Sequence, residues 1–196
     1  MLGARSRQVT GGIAWAAFGK HPAWAEFFAV GSAGPCALAY QAWVRRGFDH
    51  LLEAGHDGRR PCVYHLWSAG ENETILLFGL LRASADALGR PFPLLLTGTM
   101  AWPGWQSAWQ RLDDFFVGMW PEVEDAARGM HAAPADILAR LAAVSLPTDM
   151  ATPRRPGDNT RPAPTAMFTG GCGEEQAERR FYAPLTADDF VRLWTQ

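Results

Sequence analysis

Cys172 lies in a glycine-rich stretch, Gly170-Gly171-Cys172-Gly173, and a thiol there could attack a carbonyl if His21, His65 or His131 met it as a base. No local motif joins the cysteine to any of these histidines, so an inert thiol is the more economical reading. His50, Glu53 and His56 form H-x-x-E-x-x-H, a spacing that puts its first two side chains on one helix face. Gly55 breaks the third away, and a carboxylate metal site draws inward glutamates from several helices, so a solvated helix end is expected. Neither G-x-G-x-x-G nor G-x-x-x-x-G-K-[ST] occurs. The glycine-rich stretch runs into Glu174 and Glu175, whose charge repels phosphate, and reads as a tight turn. Ser68, in Trp67-Ser68-Ala69-Gly70, lacks the glycine that a nucleophile elbow places before the serine. No catalytic residue, cofactor or metal is therefore expected.

The chain has 196 residues, enough to bury about 70% of its unfolded surface. Apolar residues make up 48% and charged residues 19%, a balance that excludes wholesale disorder. A net charge of -2 provides no positive field for nucleic acid or anionic lipid. The longest apolar run, Thr74 to Leu81, ends at Arg82 and is far too short to cross a bilayer. Three widely spaced cysteines with no C-x-x-C pair fit reduced thiols and a cytoplasmic location. The arginine doublets at 45/46, 59/60, 154/155 and 179/180 read as solvated surface.

The elements that would position these side chains are legible from periodicity. Gly11 to Phe18 reads as a first strand. Pro35 suits the first turn of a helix that carries Ala37, Tyr40, Val44, Phe48 and Leu51 on one face and stops at Gly55. Cys62 to Trp67 and Thr74 to Leu81 form a hairpin, and Phe92 to Met100 follows too closely for a crossover helix, so it continues an antiparallel meander. A helix from Pro103 buries Trp105, Trp109, Leu112, Phe116 and Met119 until Pro121 kinks or ends it. Another opens at Pro134 with Ile137, Leu141 and Val144 inward. A Pro/Arg-rich irregular connection covers 147–164, Thr165 to Thr169 returns as a strand, and Thr186 caps a last helix with Asp189 in a capping box. The expected fold is one α+β domain over 1–196, an antiparallel sheet of about five strands with helices on both faces.

Two stretches carry more than scaffold patterning. The first is Phe18-Gly19-Lys20-His21-Pro22-Ala23-Trp24-Ala25-Glu26-Phe27-Phe28, followed by Gln41-Ala42-Trp43-Val44 on the first helix. The second is Ser84-Ala85-Asp86-Ala87-Leu88-Gly89-Arg90-Pro91-Phe92-Pro93-Leu94. In this order they resemble the TagF/ImpM family of type VI secretion-associated proteins, whose members carry F-G-K-x-P-x-x-x-D-F, a W-x-x-W helix and S-x-D-x-x-G-R-x-F-P-L. Pro164-Thr165-Ala166-Met167-Phe168-Thr169 sits where the family has P-S-x-W-W-T, so the likeness spans nearly the whole chain. Glu26 stands in place of the family aspartate, Ala25 in place of the glycine before it, and Gln41-Ala42-Trp43 keeps only the second tryptophan of the helix motif.

The resemblance implies a longin- or profilin-like arrangement and a non-catalytic regulator. Such a protein restrains a bacterial type VI secretion system after translation by binding a forkhead-associated scaffold protein. Physically, Ser84 can cap a turn, Gly89 can take positive φ, and Asp86 can pair with Arg90 four residues on. Trp24 and Phe27 would pack on the core and leave Lys20 and Glu26 exposed. Lys20, Trp24, Glu26, Asp86 and Arg90 are thus the expected partner surface or motif turn. Two alternatives are a thiol enzyme built on Cys172 and a histidine, and a structural or self-associating subunit whose nine tryptophans exceed what one core consumes.

Overall fold

The structure is a computed structural model and describes residues 12–145, 162–174 and 176–196. The connection expected at 147–164 therefore lies outside the described residues except for 162–164.

The apolar runs pair as one antiparallel sheet. β1 (Ala14–Gly19), β3 (Cys62–Ala69), β4 (Ile75–Arg82), β5 (Leu94–Ala101) and β6 (Ala166–Cys172) are its five interior strands, and every one coincides with an expected run. Two more strands, β2 (Phe28–Gly31) and β7 (Ala177–Phe181), extend it to seven among the described residues, in the order β2-β1-β5-β4-β3-β6-β7. The expectation of about five strands is corrected at the two edges. β2 is four residues of Phe-Ala-Val-Gly, and β7 reads Ala-Glu-Arg-Arg-Phe. The shortness of β2 and the charge of β7 discourage further pairing, which suits them to an edge, and neither forms an apolar run long enough to stand out in the sequence.

Helices cover both faces. On one, α1 (Pro35–Glu53) buries the five predicted residues together with Trp43 and Gly47. α5 (Ala187–Thr195) buries Phe190, Leu193 and Trp194 behind the expected box, in which Thr186 N–H donates to Asp189 Oδ2 at 2.9 Å and Asp189 N–H donates to Thr186 Oγ1 at 3.3 Å. These two helices cross closely, since a Cβ on Gly47 would lie 2.3 Å from Phe190 Cβ. With Tyr64, Leu66, Leu77, Leu81 and Phe168 from the sheet they enclose one core.

The opposite face holds a tryptophan-rich core. A 3-10 segment (Trp105–Arg111) runs into α2 (Leu112–Phe116), and Trp105, Trp109, Leu112, Phe116 and Met119 are all buried, as the stripe required. Pro121 does not finish this helix but sits in the first turn of another, α3 (Trp120–Arg128), because a first-turn residue needs no N–H partner. α4 (Pro134–Ala142) completes the layer with Ile137 and Leu141 buried. Eight of the nine tryptophans are buried and Trp24 is half-buried, so the two cores consume them and leave no surplus to line a surface. Among the described residues no helix is long and apolar enough to cross a membrane.

Of two sequence expectations near Cys172, one shifts and one is overturned: the tight turn falls at Gly173 and Glu174, with Gly173 at φ +86°. Gly170 and Gly171 belong to β6 rather than to a turn, and Gly170 passes so close to β3 that a Cβ would lie 2.1 Å from the Val63 carbonyl. The β3–β6 register also sets Cys62 directly opposite Cys172, where the two form a disulfide with their Cα atoms 3.9 Å apart. Reduced thiols were expected because the cysteines are 110 residues apart, a separation that strand pairing erases. Cys36 alone stays free, and burial followed by the nearby Glu71 charge pushes its thiol pKa up.

Candidate functional site

Asp86 is the meeting point of the two motif stretches. It lies in the β4–β5 connection, where Ala85 and Pro91 form an isolated bridge and Gly89, at φ +75°, reverses the chain. Its Oδ1 accepts from Leu88 N–H at 3.0 Å and Arg90 N–H at 2.9 Å. Its Oδ2 lies 2.6 Å from Arg90 Nε and 3.1 Å from Lys20 Nζ, which arrives from the end of β1. The turn then reaches back to the opening loop: Arg90 Nη2 donates to Ala25 O, and Ala87 N–H donates to Trp24 O at 2.8 Å. Burial acts to raise the Asp86 pKa, but the hydrogen bonds from Arg90, Lys20 and Leu88 outweigh it and hold the carboxyl well below the usual range. The hydroxyl of Ser84, expected to cap this turn, makes no hydrogen bond among the described residues; the Asp86 carboxylate does the capping.

Of the five expected surface residues, Asp86 is therefore buried, at 3% exposure, and Lys20 is mostly covered by its contact with Asp86. Lys20 was expected to stand exposed, and its pairing with a carboxylate hidden in another segment explains the difference. Arg90 and Glu26 do reach solvent. Trp24 packs as expected, with its ring 4.8 Å from His21 and 5.0 Å from Phe28, while Phe27 meets Phe18 at 4.7 Å and Phe92 at 4.9 Å. The site is a charge lock over an aromatic bed.

A second cluster escaped sequence reading because its members come from four elements. His65 on β3 stacks on Trp120 of α3, with centroids 4.1 Å apart and planes within 4°. Its Nε2 is 3.1 Å from Glu124 Oε1, and Glu124 also pairs with Arg128. Burial lowers the His65 pKa against the opposing pull of Glu124. Asp113 of α2 has its pKa raised by burial, with the Thr169 hydroxyl opposing at 3.3 Å and Glu178 adding repulsion. His65, Asp113, Trp120, Glu124 and Arg128 border an open cleft of about 500 Å³.

The thiol constellation does not assemble. Cys172 is bonded to Cys62 in the core beneath α1 and α5, whereas His65 stacks on Trp120 in the core across the sheet. His21 and His131 lie 5.6 Å apart and pack with Trp24. His50 sits near the solvated end of α1, 3.1 Å from Asp188 Oδ1, and His56 lies exposed beyond it.

No family model matches the sequence. No curated protein matches it either. A solved structure does: the crystal structure of PA0076 from Pseudomonas aeruginosa PAO1 is similar over 92% of this chain and 94% of that chain, with a TM-score of 0.62 and 15% identity. At that identity the likeness shows a shared fold. It covers 92% of the chain, so the architecture is not peculiar to this sequence.

Proposed function

We propose that the chain is a non-catalytic accessory regulator of a bacterial type VI secretion system, working by stoichiometric binding to another protein. The family resemblance makes a forkhead-associated scaffold the partner and restraint of secretion the outcome. The observation that carries the reading is the convergence at Asp86. Lys20 and Arg90, seventy residues apart, belong to separate stretches of the motif pattern, and both close on this one carboxylate. A pattern whose distant parts meet at one place behaves as a unit rather than as scattered coincidences. The fold shared with PA0076 over 92% of the chain agrees with a resemblance of the same extent. The rival thiol enzyme loses its nucleophile, because a disulfide sulfur has no thiolate to offer.

The test is capture. Purified chain, immobilised through a terminal tag, is incubated with lysate of its source organism, and bound proteins are identified by mass spectrometry. Recovery of a secretion component at near one-to-one ratio, reduced by Arg90→Ala at the exposed rim, is the expected result. Recovery of no such component would sink the reading.

A further inference from the structure

We propose that the recess between the start of β3 and the end of β4 is a docking pocket for a carboxylate in an acidic segment of a partner polypeptide, with Arg82 and Arg59 as its receptors. This rests on the reading of the chain as a protein-binding regulator and names the chemistry of the contact. The recess has a volume of about 280 Å³ and is walled by Pro61, Val63 and Pro91, with Arg59, Arg82 and Ser84 as its polar members. Pockets for small molecules run from about 300 to 1,000 Å³, so this one suits a single side chain better than a cofactor.

Of the half-buried cations Lys20, Arg82 and Arg179, the latter two lack an ion pair among the described residues, and Arg82 is the one that borders this recess. Lys20 and Arg90 close on Asp86, Arg128 on Glu124 and Arg180 on Glu178, whereas Arg82 makes no ion pair among the described residues. Its Nε donates only to the carbonyl of Ala83 at 3.4 Å. Burial and then the Arg128 charge disfavour its cationic form; Glu124 favours it but is already held by His65 and Arg128. An incoming anion would relieve that imbalance. Arg59 stands exposed on the rim, also without an ion pair among the described residues, while its backbone N–H donates to Asp57 Oδ1 at 2.9 Å. The Ser84 hydroxyl makes no hydrogen bond among the described residues. One half-buried guanidinium, one exposed guanidinium and a hydroxyl supply the donors that a glutamate or aspartate carboxylate accepts.

The recess adjoins the charge lock, since Arg82 and Ser84 lead directly into the Asp86 turn. A segment bound there would lie beside exposed Arg90, which extends the favourable charge.

The experiment titrates the isotope-labelled full chain with blocked hexaglutamate and follows amide and arginine Nε resonances. Saturable, salt-sensitive shifts at Arg59–Val63 and Arg82–Ala85 are expected, with none from hexalysine. Affinity should fall about tenfold in Arg82→Gln and in Arg59→Glu and stay unchanged in Arg140→Gln. Thermal melts check folding of Arg82→Gln, and Arg59→Glu, at an exposed site, keeps the test decisive if Arg82→Gln unfolds. Shifts that map elsewhere, affinity unchanged in Arg59→Glu, or displacement of hexaglutamate by equimolar inorganic phosphate would overturn the proposal. If hexaglutamate fails while lysate capture succeeds, the pocket is wrong and the regulator stands; the converse leaves the pocket and removes the regulator.

Discussion

Asp86 shows how much one side chain can organise when it is buried with its donors. Replacing it by Asn leaves Lys20 and Arg90 beside an uncharged acceptor and removes the ion pair that ties the end of β1 to the β4–β5 turn. The melting temperature of Asp86→Asn should fall by several degrees, with new amide exchange around Lys20 to Phe27. Because its folded pKa is depressed, the contribution of Asp86 is present above the ordinary value of 3.8 and is lost as pH falls below it, where the unfolded chain binds the proton more readily. Urea midpoints of wild type and Asp86→Asn should therefore keep a constant gap from pH 7 to about pH 4 and begin to draw together below it, with the approach still incomplete at pH 3. His65 titrates with the same stability slope at a higher pH. Burial first, against Glu124, lowers its folded pKa below 6.5, so the unfolded state takes up the proton first and stability drops as pH falls through that value. His65→Phe, which preserves the stack on Trp120, should flatten the fall in urea midpoint between pH 7.5 and pH 5.5.

At the scale of elements, the close crossing of α1 and α5 rests on Gly47. A methyl group there would meet the Phe190 Cβ, which belongs to a packed core and cannot swing aside. Gly47→Ala should cost roughly 1–3 kcal/mol by overpacking, read as a lower denaturant midpoint with an unchanged slope. Thr186→Ala removes the N-cap of α5 and should cost about 1 kcal/mol, with amide protection lost first at the start of that helix. These elements also separate what is local from what is not. The Thr186-Asp189 box was readable because a cap and its partner are three residues apart. The split at Pro121 was not, because one apolar stripe runs through both sides of it, and a proline that ends one helix is equally suited to open the next.

For the molecule as a whole, the disulfide is the feature with the widest consequence. It closes a span of 110 residues, and loops of that order stabilise by about 2–5 kcal/mol through the unfolded state. β3 and β6 also share a register of seven residue pairs, from Cys62–Cys172 to Ser68–Ala166. Reduction should therefore leave the far-ultraviolet circular dichroism unchanged while lowering the melting temperature. Unfolding of the chain on reduction, or an unchanged melting temperature, would contradict this division between pairing and cross-link.

Helical stripes, the central hairpin, the last cap and the ordered motif residues were determined by the amino-acid sequence alone. Each depends on side chains within a few positions of one another, where periodicity and backbone geometry act directly. The edge strands β2 and β7, the Cys62–Cys172 bond, the stacking of His65 on Trp120 and the closing of Lys20 and Arg90 on one buried carboxylate were decided by tertiary structure. Their partners are brought together by the register and layering of a seven-stranded sheet, and that register is a property of all the strands at once.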